Sequence, residues 1–232
     1  LSNSSANRIL GVVGAGDSLT IGAGQTIQGA GQFGAGGSLA IVNNGTVIAN
    51  QTNTLTLNTT AGVTNNSVLR GDGATLSIQS TAITQGASGT LNAINGGTVL
   101  LGNATVTGGS FTTASGGVIA TQGGTFSNSL SGVTNVGTLN VVNNSGLILD
   151  GTLTNNGAIN VQSAGNFTDL RILGNVTLGG TGITTLSNTT ANRILANSSG
   201  DTLTIGTGQT VQGSGQFGNG SGAREGHCAC AL

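Results

Sequence analysis

One four-residue phrase recurs along this chain: a Ser or Thr, then Leu, then any residue, then an aliphatic or Ala. It reads SLTI at Ser18–Ile21, SLAI at Ser38–Ile41, TLTL at Thr54–Leu57 and TLSI at Thr75–Ile78. It continues as TLNA at Thr90–Ala93, TLNV at Thr138–Val141 and TLTI at Thr202–Ile205. A period of two sends alternate side chains to opposite faces of a strand, so Leu and Ile are expected inward and Ser, Thr and Asn outward. An antiparallel sandwich shows the same alternation, so the phrase by itself leaves both folds open.

Spacing separates them. The first five copies start at Ser18, Ser38, Thr54, Thr75 and Thr90, so the phrase returns roughly once per solenoid-sized repeat. A cleaner ruler is RIL, at Arg171–Leu173 and again at Arg193–Leu195. Between the two lie VTL and ITTL, separated by Gly and Asn. Three short strands and three corners in about 20 residues form one coil of a solenoid. The expected fold is therefore all-β: a single-stranded parallel β-helix with three short strands per coil of about 20 residues, and about 11 coils in all.

The corners agree with this. NNG at Asn43–Gly45 and Asn155–Gly157, NGG at Asn95–Gly97 and NNSG at Asn143–Gly146 each precede a new apolar run. Asn and Gly tolerate the left-handed backbone that a tight bend requires. NNG also suits a hairpin turn, but the chain lacks matched flanking strands about each turn. One coil with a few inward Leu, Ile or Val cannot offset its own ordering entropy; stacked coils sharing a core can.

Composition removes whole classes of function. Of 232 residues 44 are Gly, Pro is absent, and only 5% are charged, with a formal net charge of −1. Nucleic acid is not an expected partner, because phosphate binding needs a cationic surface. Disorder is not expected either, since 36% of residues are hydrophobic and charge is minimal. No apolar run approaches the roughly 18–20 residues of a membrane-spanning helix. The chain starts with Leu and has no Met, so it is expected to be a processed or truncated piece, with any export signal outside it.

A second, longer repeat overlies the coils. LSNSSANRIL at Leu1–Leu10 returns as LSNTTANRIL at Leu186–Leu195, and GDSLTIGAGQTIQGAGQFG at Gly16–Gly34 returns as GDTLTIGTGQTVQGSGQFG at Gly200–Gly218. The period is too long for one coil. Residues 1–220 are expected to form the β-helical region, with a large repeat over 1–185 and the start of the next copy over 186–220. Residues 221–232 differ in composition and are expected to be a disordered tail.

The stretches NNGTVIANQTNTLTLNT at Asn43–Thr59 and GTLNVVNNSGLILDGTLTNNGAINV at Gly137–Val161 resemble the passenger stalks of bacterial autotransporters. They are equally similar to filamentous-haemagglutinin-type secreted adhesins. The likeness spans about residues 1–218 and is one of style rather than of a single motif. It implies a right-handed parallel β-helix at an extracellular or bacterial cell-surface location. It also implies a structural or adhesive stalk whose partners are receptors or glycans of a host or neighbouring cell. Coils without convincing polar caps add an expectation of end-to-end or lateral self-association.

Chemistry-bearing residues are few. Polysaccharide-active β-helices need paired carboxylates, or a carboxylate with a base and calcium. The acids before the tail are Asp17, Asp72, Asp150, Asp169 and Asp201, and there is no Lys, Trp or Tyr. Asp17 and Asp201 are repeat mates, which points to a structural role at the start of a strand. Asp169 and Arg171 are expected to make a surface i, i+2 pair, while Arg8, Arg171 and Arg193 are expected to be solvated. Catalysis is not expected, nor is any cofactor or metal. GAGQTIQGAGQFG has GxGxxG-like spacing, but no helix follows to receive a phosphate.

Arg70, Gly71 and Asp72 spell RGD, which resembles the integrin-binding tripeptide of some adhesins and makes them an adhesive-motif candidate. Three residues recur often by chance, however, and the expected reading is a turn between NSVL and ATLSI with both charges solvated. TxT triplets at Thr54–Thr56, Thr105–Thr107, Thr152–Thr154 and Thr202–Thr204 leave an alternative function open. That alternative is an ice-binding solenoid with an outward Thr/Ser/Asn face. Phe33 and Phe217 occupy equivalent places in the long repeat and are expected to fill the core. In the tail, His227, Cys228 and Cys230 fall one ligand short of a closed zinc site.

Overall fold

The computed structural model describes residues 1–12 and 16–218. It is all-β, with parallel strands stacked as a β-solenoid of about 9 turns and no helix among the described residues. The chain divides into two compact units, Leu1–Ala120 and Thr121–Leu232.

In the first unit each strand pairs with the third strand after it, so three strands make a coil. Ser18–Ile21 lies beside Ala40–Asn43, which lies beside Val63–Asn65, then Ala82–Gln85, then Thr105–Thr107. A second column runs Thr26–Gly29, Thr46–Ala49, Val68–Asp72, Thr90–Ile94 and Ser110–Thr113. The third runs Arg8–Ile9, Gly31–Gly37, Leu55–Thr59, Thr75–Gln79 and Thr98–Gly102. All these pairs are parallel, and the alternation of each strand places Leu, Ile and Val inside. Leu55, Leu76 and Val99 stack in one such column, each fully buried.

In the second unit the three-strand coil persists, but corners soften until neighbouring strands run together. Gly146–Asn155, Thr168–Gly179 and Ile183–Ala196 are continuous strands of 10, 12 and 14 residues. The first two pass through left-handed backbone at Gly151 (φ 66°) and Gly174 (φ 68°), where glycine lets the strand turn without breaking. VTL is therefore part of the same strand as RIL rather than a separate one.

The coil is longer than expected, which is why there are about 9 and not about 11. Paired residues are close in sequence at Asn128–Leu147 and Thr26–Thr46, but further apart at Arg8–Gln32 and Asn175–Thr202. The difference lies in corners, which carry extra residues that a strand phrase does not reveal. RIL is an inaccurate ruler for the same reason. Arg193 pairs with Asp169, and Arg171 with Leu195, so the two RIL phrases are not stacked in register and the coil exceeds their spacing.

The corners also differ from expectation in how they use Asn. Asn95 (φ 55°) and Asn144 (φ 60°) do adopt the left-handed backbone predicted for NGG and NNSG. Neither NNG corner does. Asn43 and Asn155 instead turn inward and are fully buried, so polar side chains are not confined to the outside. Glycine follows because there is no room for anything else. A Cβ on Gly45 would lie 2.3 Å from the Gln25 carbonyl oxygen, and one on Gly157 would lie 2.2 Å from that of Gly137.

Candidate functional site

The buried Asn side chains form ladders that run from coil to coil. In the first unit Asn43 Nδ2 donates to Asn65 Oδ1 at 2.8 Å, and Asn65 Nδ2 donates to Gln85 Oε1 at 3.0 Å. Gln85 Nε2 in turn donates to the Gly108 carbonyl at 3.0 Å. Asn43 and Asn65 also accept from the backbone N–H two positions on, at Gly45 and Ser67. In the second unit Asn135 Nδ2 donates to Asn155 Oδ1 at 2.8 Å, and Asn155 Nδ2 to Gln209 Oε1 at 3.3 Å. An amide side chain has both donors and an acceptor, so identical residues can pair along a stack without end. Inside a core such a network must be satisfied, and here it specifies which coils stack in which register.

The acids are placed as structural elements. Asp17 accepts from the Val12 N–H, and Asp201 accepts from Gly174 N–H at 2.8 Å and Ser198 N–H at 2.6 Å. Both repeat mates thus tie down a corner before a strand, as their sequence position suggests. Among the described residues, no three His, Cys, Asp or Glu side chains come together.

Asp169 is the exception to the expected surface pairing. Its carboxylate is fully buried and receives two guanidinium groups. Arg171 Nη2 approaches Asp169 Oδ2 at 2.9 Å, while Arg193 Nε reaches Oδ1 at 2.7 Å and its Nη2 reaches Oδ2 at 2.9 Å. Arg193 is itself 9% exposed and sits 3.7 Å from the centre of the Phe167 ring. Arg171 lies 5.6 Å from the centre of the Phe126 ring. Neither arginine is simply solvated. The i, i+2 pattern cannot reveal Arg193, which arrives from the next coil. Arg8 is exposed, as expected.

The RGD tripeptide is not a turn. Arg70–Asp72 ends the strand Val68–Asp72 and is paired on one side with Asn92–Ile94; on the other, Ile48 and Ala49 pair with Arg70 and Gly71. Gly71 is buried, and a Cβ there would lie 2.5 Å from the Thr98 carbonyl oxygen. Arg70 Nε donates to Asn92 Oδ1 at 2.7 Å, and Asp72 Oδ1 accepts from Asn95 Nδ2 at 2.8 Å. The tripeptide is extended, and both of its charged ends are engaged by the next coil.

The two TxT triplets of the first unit do not stack on one another. In the first unit, Thr56 belongs to the column containing Leu55–Thr59, and Thr105 and Thr107 to the column containing Ser18–Ile21. A different threonine array is present on that second column. Thr20, Val42, Thr64, Thr84 and Thr107 stand in register on successive coils, and all four threonines are exposed. Beside them, Ser18 pairs with Ala40 and Ala82 with Thr105, so the neighbouring positions are small. In the second unit Thr152, Thr177 and Thr204 form a shorter exposed column. In the first unit the informative signal is single threonines at coil spacing, whereas in the second Thr152 and Thr204 come from two of the triplets and share their column with Thr177.

Phe33 is fully buried, as expected, but its mate Phe217 is 48% exposed. The GxGxxG-like stretch forms corners and strands, with Gln25 N–H donating to the Gly22 carbonyl at 3.0 Å. The tail residues His227, Cys228 and Cys230 lie outside the described residues. Set against known protein families, curated proteins and solved structures, the chain matches none.

Proposed function

We propose that this chain is a non-catalytic structural and adhesive stalk segment of a large secreted bacterial surface protein. The observation that carries this is the coil-to-coil use of its polar side chains. The buried Asn ladders, the corner-holding Asp201 and the Asp169 cluster all bridge successive coils. A solenoid built this way holds whatever it carries at a fixed spacing, because each coil is stabilised by its neighbours. Its partners are receptors or glycans on a host or neighbouring cell, met by the outward side chains. The test is attachment of beads coated with the full chain to cultured cells and to glycan arrays, with a polysaccharide panel incubated alongside, with and without calcium. Selective attachment without turnover supports the proposal. Depolymerisation of any polysaccharide in the panel overturns it.

The threonine column of the first unit favours a second reading, an ice-binding face. Thr64, Thr84 and Thr107 are exposed on successive coils and open to water. Parallel stacking repeats them about every 4.8 Å, with small neighbours about 7 Å away along each strand. Such a lattice can order water. Thermal hysteresis and faceted ice crystals are the readout, and their absence at millimolar protein removes this reading.

A further inference from the structure

The long repeat supplies an internal comparison of one sheet edge in two situations. Arg8 pairs with Gln32 and Ile9 with Phe33 in the first unit; Arg193 pairs with Gln216 and Ile194 with Phe217 in the second. The mates therefore adopt the same register. Their corners match too: Gln25 N–H donates to Gly22 O at 3.0 Å, and Gln209 N–H donates to Gly206 O at 3.1 Å. Gly24 (φ 77°) and Gly208 (φ 98°) share the left-handed backbone.

The two copies part company at their outer edge. In the first copy that edge is covered by the next coil: Leu19 pairs with Ile41, Ile27 with Val47, and Phe33 with Leu57. The sequences diverge after Gly34 and Gly218. Among the described residues, Thr202–Ile205 pairs with Asn175–Leu178, and Thr210–Phe217 with residues of Ile183–Ala196, on one side only. Phe217 is 48% exposed where Phe33 is fully buried.

We infer that the edge formed by Thr202–Ile205 and Thr210–Phe217 is a docking site for one further coil of the sequence found at residues 35–59 of this protein. The occupant is a second copy of that segment. Six edge positions decide the fit. Leu19, Ile21, Ile27, Gly29, Gly31 and Phe33 receive this coil in the first copy, and their mates are Leu203, Ile205, Val211, Gly213, Gly215 and Phe217. One side chain differs, Ile to Val, and both suit a strand. The acceptors recur as well. Asn44 N–H donates to Ile21 O and Thr46 N–H to Gln25 O, whose mates are the carbonyls of Ile205 and Gln209.

Docking is strand addition, in which backbone hydrogen bonds give affinity and the side-chain register gives selectivity. It stands whether or not the solenoid is a stalk; in a stalk it sets the order in which repeats succeed one another.

The experiment mixes the full chain with a synthetic peptide of residues 35–59 and monitors amide hydrogen exchange over 202–217. The peptide is expected to slow exchange there by about tenfold or more at saturation. A scrambled peptide, and one carrying Gly45→Val, are expected to leave exchange unchanged. The Val fails because its Cβ would lie 2.3 Å from the carbonyl oxygen of Gln25, the mate of Gln209. A second arm tethers the segment by placing a copy of 35–59 directly after Gly218 in place of residues 219–232. Tethering raises the local concentration to about the millimolar range, so weak docking still registers. Equal protection by the scrambled or Gly45→Val sequence, or none even when tethered, overturns the inference.

Discussion

Asn65 and Asn66 are neighbours, yet the structure assigns them very different energetic roles. Asn65 is fully buried: it accepts from Asn43 at 2.8 Å and donates to Gln85 at 3.0 Å and to the Thr90 carbonyl at 3.3 Å. Asn66 is exposed and donates to Asn44 Oδ1, also at 2.8 Å. Asn65→Ala strands the side-chain carbonyl of Gln85 in the interior, removes one acceptor of the buried Asn43 Nδ2 and leaves a small void. Each buried unsatisfied group costs about 1–3 kcal/mol, so the substitution is expected to cost about 3 kcal/mol. Asn66→Ala hands its partners back to water and is expected to cost about 0.5 kcal/mol or less. Equilibrium urea unfolding of both variants measures the difference. Hydrogen exchange at Ser67 and Val68 locates it, which matters because solenoids can unfold by parts. Equal losses for the two variants would refute the assignment of the ladder as a core element.

The buried carboxylate makes a related test. Asp169→Ala leaves Arg193 buried beside no counter-charge and is expected to cost about 3–5 kcal/mol, whereas Asp169→Leu combined with Arg193→Met is expected to be the milder change, both read by urea midpoint. Gly45→Ala places a Cβ against two backbone oxygens, at 2.3 and 2.6 Å, and is expected to cost about 3 kcal/mol or more. Gly24→Asn, in left-handed backbone with open space around it, is expected to cost only about 1 kcal/mol by the same assay. Asp72→Glu is expected to leave attachment of coated beads to integrin-bearing cells unchanged, because Arg70–Asp72 is held extended within the sheet.

The Asn ladders are more legible in the sequence than the simple rule of apolar inside and polar outside allows. Alternation through Leu39 and Ile41 brings Asn43 to the same inner face, and alternation through Val63 does the same for Asn65. Val133 and Leu153 point the same way for Asn135 and Asn155. The strand phrases, the three-strand coil and the parallel stacking come from periodicity and turn chemistry, which are local. Register is not local. The Asp169 cluster exists because Arg193 stacks on Asp169, whereas aligning the two RIL phrases would stack it on Arg171 and set two like charges side by side. The threonine column depends on register in the same way, since Thr64, Thr84 and Thr107 belong together only once the coil lengths are known.

Register is also where parallel stacking is most directly testable. Through-hydrogen-bond scalar couplings connect a donor nitrogen to its acceptor carbonyl carbon without interpretation. The stacked coils predict couplings from Thr46 N to Gln25 C′, from Thr90 N to Ser67 C′ and from Asn156 N to Asn135 C′. Couplings at these three pairs establish parallel, in-register stacking in both units. Couplings that instead join residues symmetrically across the NNG corners would mean hairpins and an antiparallel fold, and would contradict it.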